Sequence, residues 1–402
     1  MNLKNLIFNK ISLFIIFTIY LLSNCYLGSS SGVKTVYEFI AIILTVFVIF
    51  LFILYICKRK KDAFLYYFFF YLIFLLLACY IGKYSSIVTF FHFYYPIVGF
   101  CLYFMMAYDY NERDTIKSLN FSFNILTFLN FCTIIFYPNG MYSDGLYNNC
   151  WFFKYDNLHI MMFIPNFLIN LLVLEKYKNS INTISIYFNW IIIILSILIC
   201  KSATAIVSLL IICGFHLFKL CKNRKENNCL IKNTNTLMNV YIILFFLIII
   251  FRMQDIFSWL IVKFLGKDLT FSNRTVIWDR TIELIRKKPI LGYGIENTEI
   301  FKLKMGNQAF THAHNTFLNV IYSGGFVTFS FFFLMLKRIS KLMNEITNKY
   351  SDYFKITFFS LLVMCLVEAR DEKMGFYIIL FILYCISNKK NSIKNKENKV
   401  IK

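Results

Sequence analysis

Apolar and polar positions fall in long blocks along this chain instead of alternating residue by residue. Apolar runs of about 18 to 25 residues recur, each long enough to cross a bilayer core of about 30 Å, with short polar connectors between them. A membrane β-barrel would show ~10-residue alternating segments. The blocks predict helices at 6–24, 35–57, 63–82, 87–107, 117–137, 159–175, 184–200, 202–220, 238–252, 315–336, 353–369 and 374–388. The expected fold class is an all-α integral membrane protein, a polytopic bundle of about 12 transmembrane helices with a long outer-face loop and both termini cytoplasmic. Nine helices lie within 1–252, the long loop with one short helix within 253–314, three helices within 315–388, and a basic cytoplasmic tail at 389–402. The tail, rich in Lys and Asn, reads as disordered.

Composition agrees with this pattern. The chain is 59% hydrophobic and holds 48 Phe, more apolar surface than a water-soluble domain could hide. The formal charge of +21 would suggest nucleic acid in a soluble protein, but here the cations occupy connectors and report topology. Clusters such as Lys58–Lys61, Lys219 to Lys225 and the tail lysines fall on one side. The short connectors on the other side carry only Lys34, Lys83, Lys154, Lys201, Arg370 and Lys373. The positive-inside rule then places both termini in the cytoplasm. The twelve cysteines form no CxxC pair and read as small buried hydrophobes. The N-terminal apolar run lacks a small-residue cleavage site and reads as the first transmembrane helix.

Two outer segments are long. Residues 138–157, PNGMYSDGLYNNCWFFKYDN, mix Gly, Asn and aromatics, which suits either sugar contacts or an interfacial aromatic belt. Residues 252–311 carry an excess of cations that the short-loop rule does not explain, and anionic headgroups or a phosphorylated substrate are the two readings. Within this loop SNRTVIWDRTIELIRKKP predicts a helix. Ser272 or Asn273 caps it, Ile277, Trp278, Ile282 and Ile285 form one apolar face, Arg286 to Lys288 complement the C-terminal dipole, and Pro289 stops it. Arg274 sits in the first turn, where a cation opposes the dipole by about 0.3–1 kcal/mol, so it points to an anion at the helix N-terminus. Arg280 fits the same anion or a pair with Glu283 one turn on. Gly292 and Gly294 supply a tight turn close to other backbone.

Only five histidines occur, and His312 and His314 stand together at the outer mouth of a predicted helix. A neutral imidazole can take a proton from a hydroxyl at neutral pH. The H-x-H spacing also allows a metal, but no third His or nearby Cys accompanies it and cations surround it, so no metal and no cofactor are expected.

From Asn273 to Thr328 the sequence resembles the C-terminal core of the bacterial O-antigen ligase and O-antigen or capsular polysaccharide polymerase superfamily. Arg274 with Trp278 resembles the family's helix start. Lys288-Pro289 through Leu291-Gly292-Tyr293-Gly294 resembles its Pro–Gly-x-Gly turn. His312-Ala313-His314-Asn315, followed by Gly325 and Thr328, resembles its His-Asn…Gly signature. Lys201-Ser202-Ala203-Thr204 stands where the family opens a mid-chain helix with a basic residue. The resemblance implies a glycosyltransferase of the bacterial inner (plasma) membrane. Its donor would be an undecaprenyl-pyrophosphate-linked oligosaccharide and its acceptor a glycan hydroxyl. Membrane lipids and a chain-length regulator would be partners, and nucleic acid would not.

The same resemblance implies His314 as base with His312 beside it, Arg274, Arg280 and Lys201 on the pyrophosphate, and Asn315, Gly292, Gly294 and Gly325 in support. A repeat-unit polymerase is the expected activity, and a ligase joining polymer to lipid A–core is the alternative. A lipid-linked oligosaccharide flippase would instead place ionisable groups mid-helix. His92, Pro96, Asn166, Asn170 and Glu368 are the only hints of that. Asn166 and Asn170, spaced i, i+4, read as interhelical hydrogen bonds.

Overall fold

The computed structural model describes residues 3–28, 31–57, 62–145, 147, 149–177, 179–221, 231, 233–252, 274–308, 310–346 and 350–400. The chain folds as helices α1 (Leu3–Ile7), α2 (Lys10–Leu22), α3 (Ser31–Ile56), α4 (Ala63–Ile81), α5 (Ile87–Tyr110) and α6 (Glu112–Phe136). A two-stranded antiparallel hairpin, β1 (Cys150–Trp151) and β2 (Lys154–Tyr155), precedes α7 (Asp156–Lys176), α8 (Ser180–Cys200), α9 (Ala203–Cys221) and α10 (Thr234–Phe245). A π-turn, Phe246–Ile250, extends α10. Then come α11 (Arg274–Lys287), α12 (Thr298–Met305), α13 (Thr316–Met343), α14 (Ser351–Val367) and α15 (Met374–Val400). Among the described residues seven helices are at once long and apolar enough to cross a membrane, and α2, α9, α10 with its π-turn and the apolar part of α15 are shorter apolar helices. The protein is an all-α membrane protein.

Local chemistry sets many of the helix starts. Asp62, Ser86, Asn111 and Asn179 each accept a backbone N–H of the first turn of the helix that follows. Buried amides join α6, α7 and α8. Asn166 donates to Thr127 and to Asn189 at 2.9 Å each, and Asn170 donates to Asn166 and Asn189 at 3.0 Å each. The bonds to Thr127 and Asn189 are the interhelical ones expected of Asn166 and Asn170. By contrast α3 leaves Phe39, Ile42, Val46 and Phe50 exposed, as a lipid-facing helix does.

The connectors fall into two groups joined by their own contacts. One group links Tyr26 N to Phe152 O, Ser86 N to Ile295 O, Ser202 to Asn157, and Asn157 to Arg370. The other links Asp62 to Arg338, Glu112 to Lys176, Asn344 to Thr234, and Asp352 to Lys219.

Three expectations need correction. The first apolar run is two helices, α1 and α2, because Asn9 caps a new start at Lys10. The tail at 389–402 is helical to Val400, not disordered: Lys and Glu extend an existing helix without a new nucleation step. The segment expected to form the long loop holds a second helix, α12. Ser272 and Asn273, the expected caps of α11, and Lys263 and Lys267 lie outside the described residues.

Candidate active site

The segment between α10 and α13 is held to the bundle by a small apolar core of its own. Ile277, Trp278 and Ile285 of α11 pack with Tyr293, Phe301, Met305 and with Leu318, Ile321 and Tyr322 of α13. This fulfils the apolar face expected of α11, with Ile282 at its edge.

The Pro–Gly turn is docked by a break in α13. Gly325 stands at φ 68°, ψ −176°, which interrupts the helix. In a continuous helix Tyr322 O would accept from Phe326 N, and Ser323 O from Val327 N. Instead Tyr293 N donates to Tyr322 O at 2.9 Å and Gly294 N to Ser323 O at 2.7 Å. Phe326 N donates to Pro289 O at 2.8 Å and Val327 N to Ile290 O at 3.3 Å. The turn satisfies all four backbone groups the break releases. A Cβ on Gly325 would lie on the carbonyl of Ile290, and one on Gly292 would meet Tyr322 O. Gly292 and Gly294 have φ of 64° and 77°. The three glycines act as supports through backbone contact.

This docking brings the start of α11 to the start of α13. Asn315 caps α13, accepting from Leu318 N at 2.9 Å, and donates to Leu366 O at 2.9 Å. With one bond at each end of its amide, Asn315 ties α13 to the end of α14. The connector that follows α14, Glu368 to Lys373, lands against the two histidines.

Glu368 is the centre of the cluster. Arg274 Nη2 donates to its Oε1 at 2.7 Å, while His312 Nε2 stands 3.6 Å and His314 Nδ1 3.5 Å from its Oε2. The two imidazoles are stacked, with ring centroids 3.9 Å apart. His314 has a left-handed φ of 46°, and its carbonyl accepts from the indole of Trp278 at 3.4 Å. Burial favours a neutral Glu368, but the facing histidines and the charges of Arg370 and Arg274 hold its carboxyl well below the usual range. His312 moves the other way. Burial first, and then His314, push its imidazole down to about 4 against the pull of Glu368. Its Nδ1 lies 2.8 Å from Thr311 Oγ1.

A chain of hydrogen bonds leads from the backbone carbonyl of Glu368 to Ser202 and Thr204. Thr316 donates to Glu368 O at 2.7 Å and accepts from Arg370 N at 3.0 Å. The buried Arg370 donates to Asn157 O at 3.0 Å. Ser202 and Thr204 both donate to Asn157 Oδ1, at 2.6 and 2.9 Å. Lys201 itself ends α8 in the left-handed conformation, exposed.

Two comparisons bear on identity. Residues 188–333 match the family model described as O-antigen ligase. Over that stretch the chain is similar to the O-antigen ligase superfamily. A ComP-specific O-oligosaccharyltransferase of Acinetobacter baylyi is 26% identical over 233 residues, which are 56% of this chain and 42% of that protein. The chain thus covers less than half the length of that relative. No solved structure matches.

The expected residues separate into groups. Arg274, His312 and His314 meet at one carboxylate. Arg280 does not join them: it lies on an exposed face of α11 and pairs with Glu283 at 2.9 Å, the alternative its spacing allowed. Glu368, Arg370 and Asp371 were missed as site residues. Their signal was the EARDEK run, five charged residues between two apolar helices, of which Glu368, Arg370 and Asp371 are all buried. Glu368 also supplies the third ligand the H-x-H pair lacked in sequence. One ligand atom each from His312, His314 and Glu368 lie within 4.8 Å of one another, a spacing that can hold a metal ion. The Arg274 guanidinium already occupies the other carboxylate oxygen, which sets a cation against any metal there.

Proposed function

We propose that this protein transfers a glycan from an undecaprenyl-pyrophosphate carrier to a sugar hydroxyl at the outer face of the bacterial inner membrane, as a repeat-unit polymerase. The observation that carries the reading is the convergence of Arg274, His314 and His312 on Glu368. In the proposed step the acceptor oxygen attacks the anomeric carbon, and the bond from that carbon to the pyrophosphate oxygen breaks. The acceptor proton passes to His314 Nε2, and the lipid pyrophosphate leaves with its charge against Arg274. Glu368 Oε2, 3.5 Å from His314 Nδ1, favours the tautomer that carries its proton on Nδ1 and leaves Nε2 basic. A positioned base of this kind contributes ~10²–10⁴-fold. Lys201, at the outer end of α8, is the second cation assigned to the leaving group.

The same reading assigns topology. The seven long helices, the four shorter apolar ones and α14 make twelve crossings, with both termini cytoplasmic and the connectors around Glu368 outside. A ligase that joins finished polymer to lipid A–core is the second reading, favoured by the description of the matching family.

The test is deletion of the gene in its host, with the surface glycan and the lipid-linked pool run on gels. A polymerase leaves surface glycan of a single repeat unit, restored by wild type but not by His314→Ala or Glu368→Gln, each expected to lower transfer by about 10²–10⁴-fold. Full-length polymer stranded on the carrier identifies a ligase. An unchanged glycan ladder rejects both.

A further inference from the structure

Two cavities open beside the cluster, and neither is accounted for by Arg274 or His314. The inner one, about 240 Å³, is bounded by His312, Thr311 and Asn319. The outer one, about 780 Å³, runs past Tyr26, Tyr142 and Lys154. Phe93, Asp144, Glu372 and Lys373 line both, so the two spaces share one wall. That wall comes from α5, the 138–157 segment and the connector after α14.

We infer that the two cavities form one tract for the acceptor saccharide, which delivers its terminal hydroxyl to the His312 side of the cluster. The inference rests on the glycan-transfer reading above and adds where the second substrate lies. Three features of the wall carry it. First, the tract ends at His312, whose ring stacks on the proposed base His314 at 3.9 Å, and Arg274 is not in its lining, so the acceptor hydroxyl arrives beside the base and away from the cation assigned to the leaving group. Second, each cavity has an aromatic stack in its wall. The Tyr147 and Tyr155 rings lie 3.9 Å apart in the inner one, and Tyr26 and Tyr142 3.8 Å apart in the outer one. Flat aromatic surfaces with polar rims suit the apolar faces and hydroxyl edges of sugar rings.

Third, the polar groups are of the kind that fix hydroxyls. Asp144 and Glu372 present carboxyls and Lys373 an ammonium at the constriction the cavities share. Burial raises the Glu372 carboxyl. The tract also gives the 138–157 segment a purpose beyond an aromatic belt. Tyr142, Asp144, Tyr147 and Tyr155 all come from it, positioned by the β1–β2 hairpin and by Tyr147 N donating to Asp144 Oδ1 at 2.8 Å.

The experiment uses the full-length protein in lipid nanodiscs. The probe is the oligosaccharide released by mild acid from the host's own surface glycan. Its binding is measured by calorimetry, and the KM values for lipid-linked acceptor and donor are measured separately. Tyr147→Ala is expected to weaken oligosaccharide binding about tenfold and to raise the acceptor KM with the donor KM unchanged. Asp144→Asn preserves shape and the turn acceptor, so a loss of binding in that variant at unchanged thermal stability is a loss of contact and not of folding. Unchanged binding in both variants overturns the inference. So does transfer to a serine-bearing protein by an enzyme that binds no saccharide. Saccharide binding that depends on Tyr147 and Asp144, in a protein that transfers nothing, leaves the tract standing and overturns the polymerase reading instead.

Discussion

Glu368 shows how much one side chain can organise. A buried carboxylate is costly unless its oxygens are engaged, and here one faces a guanidinium and the other faces two imidazoles. Among the described residues the neighbouring Asp371 has no salt bridge, and its oxygens meet a neutral amide instead of a cation. Burial first, and then the charge of Glu372, push the Asp371 carboxyl up to about 7, although Asn319 donates to both its oxygens. The fold therefore holds a proton on Asp371 between the usual carboxylate range and about 7 that the unfolded chain has lost, and stability falls as pH rises through that window. His312 has the opposite sign. Between about 4 and its ordinary 6.5 the unfolded chain binds a proton that the fold refuses, so stability falls as pH drops through that window. The two slopes oppose each other. In thermal melts from pH 4 to 7, Asp371→Asn should be less stable at the acid end and His312→Gln less stable at the neutral end. Identical slopes in the two variants would contradict the assignment.

At the scale of elements, the decisive feature is the exchange of backbone hydrogen bonds between the 289–294 turn and the break in α13. It fixes where α11 stands, and α11 carries Arg274. Gly325→Ala requires a left-handed residue with a Cβ against the Ile290 carbonyl, a strain of roughly 1–3 kcal/mol before any clash is counted. That variant should melt well below wild type and lose transfer, because Arg274 would no longer meet Glu368. Gly306→Ala is the control. It also has a positive φ, of 69°, but nothing lies within 4 Å of its added Cβ, so it should keep activity with only a modest loss of stability. Equal behaviour of the two variants would show that backbone conformation, not docking, is what Gly325 provides.

For the whole molecule, the grouping of connectors makes a prediction about sidedness. If the cluster around Glu368 faces outward, a membrane-impermeant maleimide should label a cysteine placed at Ser143 or Lys302 in intact cells. A cysteine at Asn179 or Glu345 should label only after permeabilisation. The reverse pattern would invert the topology, and labelling of all four in intact cells would break it.

Much of this protein was written locally and could be read there. The apolar blocks mark the helices because a bilayer demands runs of a set length, and the α11 face follows from a 3.6-residue period that any packed helix must satisfy. Gly292 and Gly294 were legible as a tight turn and Arg274 because a cation at a helix start is out of place, whereas Gly325 was marked only by the family resemblance. What sequence could not supply was the meeting of these parts. Arg274 and Glu368 are 94 residues apart, and no periodicity links them. Arg280 and Arg274 look alike in sequence, yet one finds Glu283 a turn away while the other is carried to a buried carboxylate. The helical tail and α12 escaped because composition weighs residues singly, whereas helix growth depends on what precedes them and on the surface a short amphipathic piece can cover. Local physics determined the segments and their chemistry; the tertiary structure decided which charges share a carboxylate, because only long-range packing brings that carboxylate out of water and beside them.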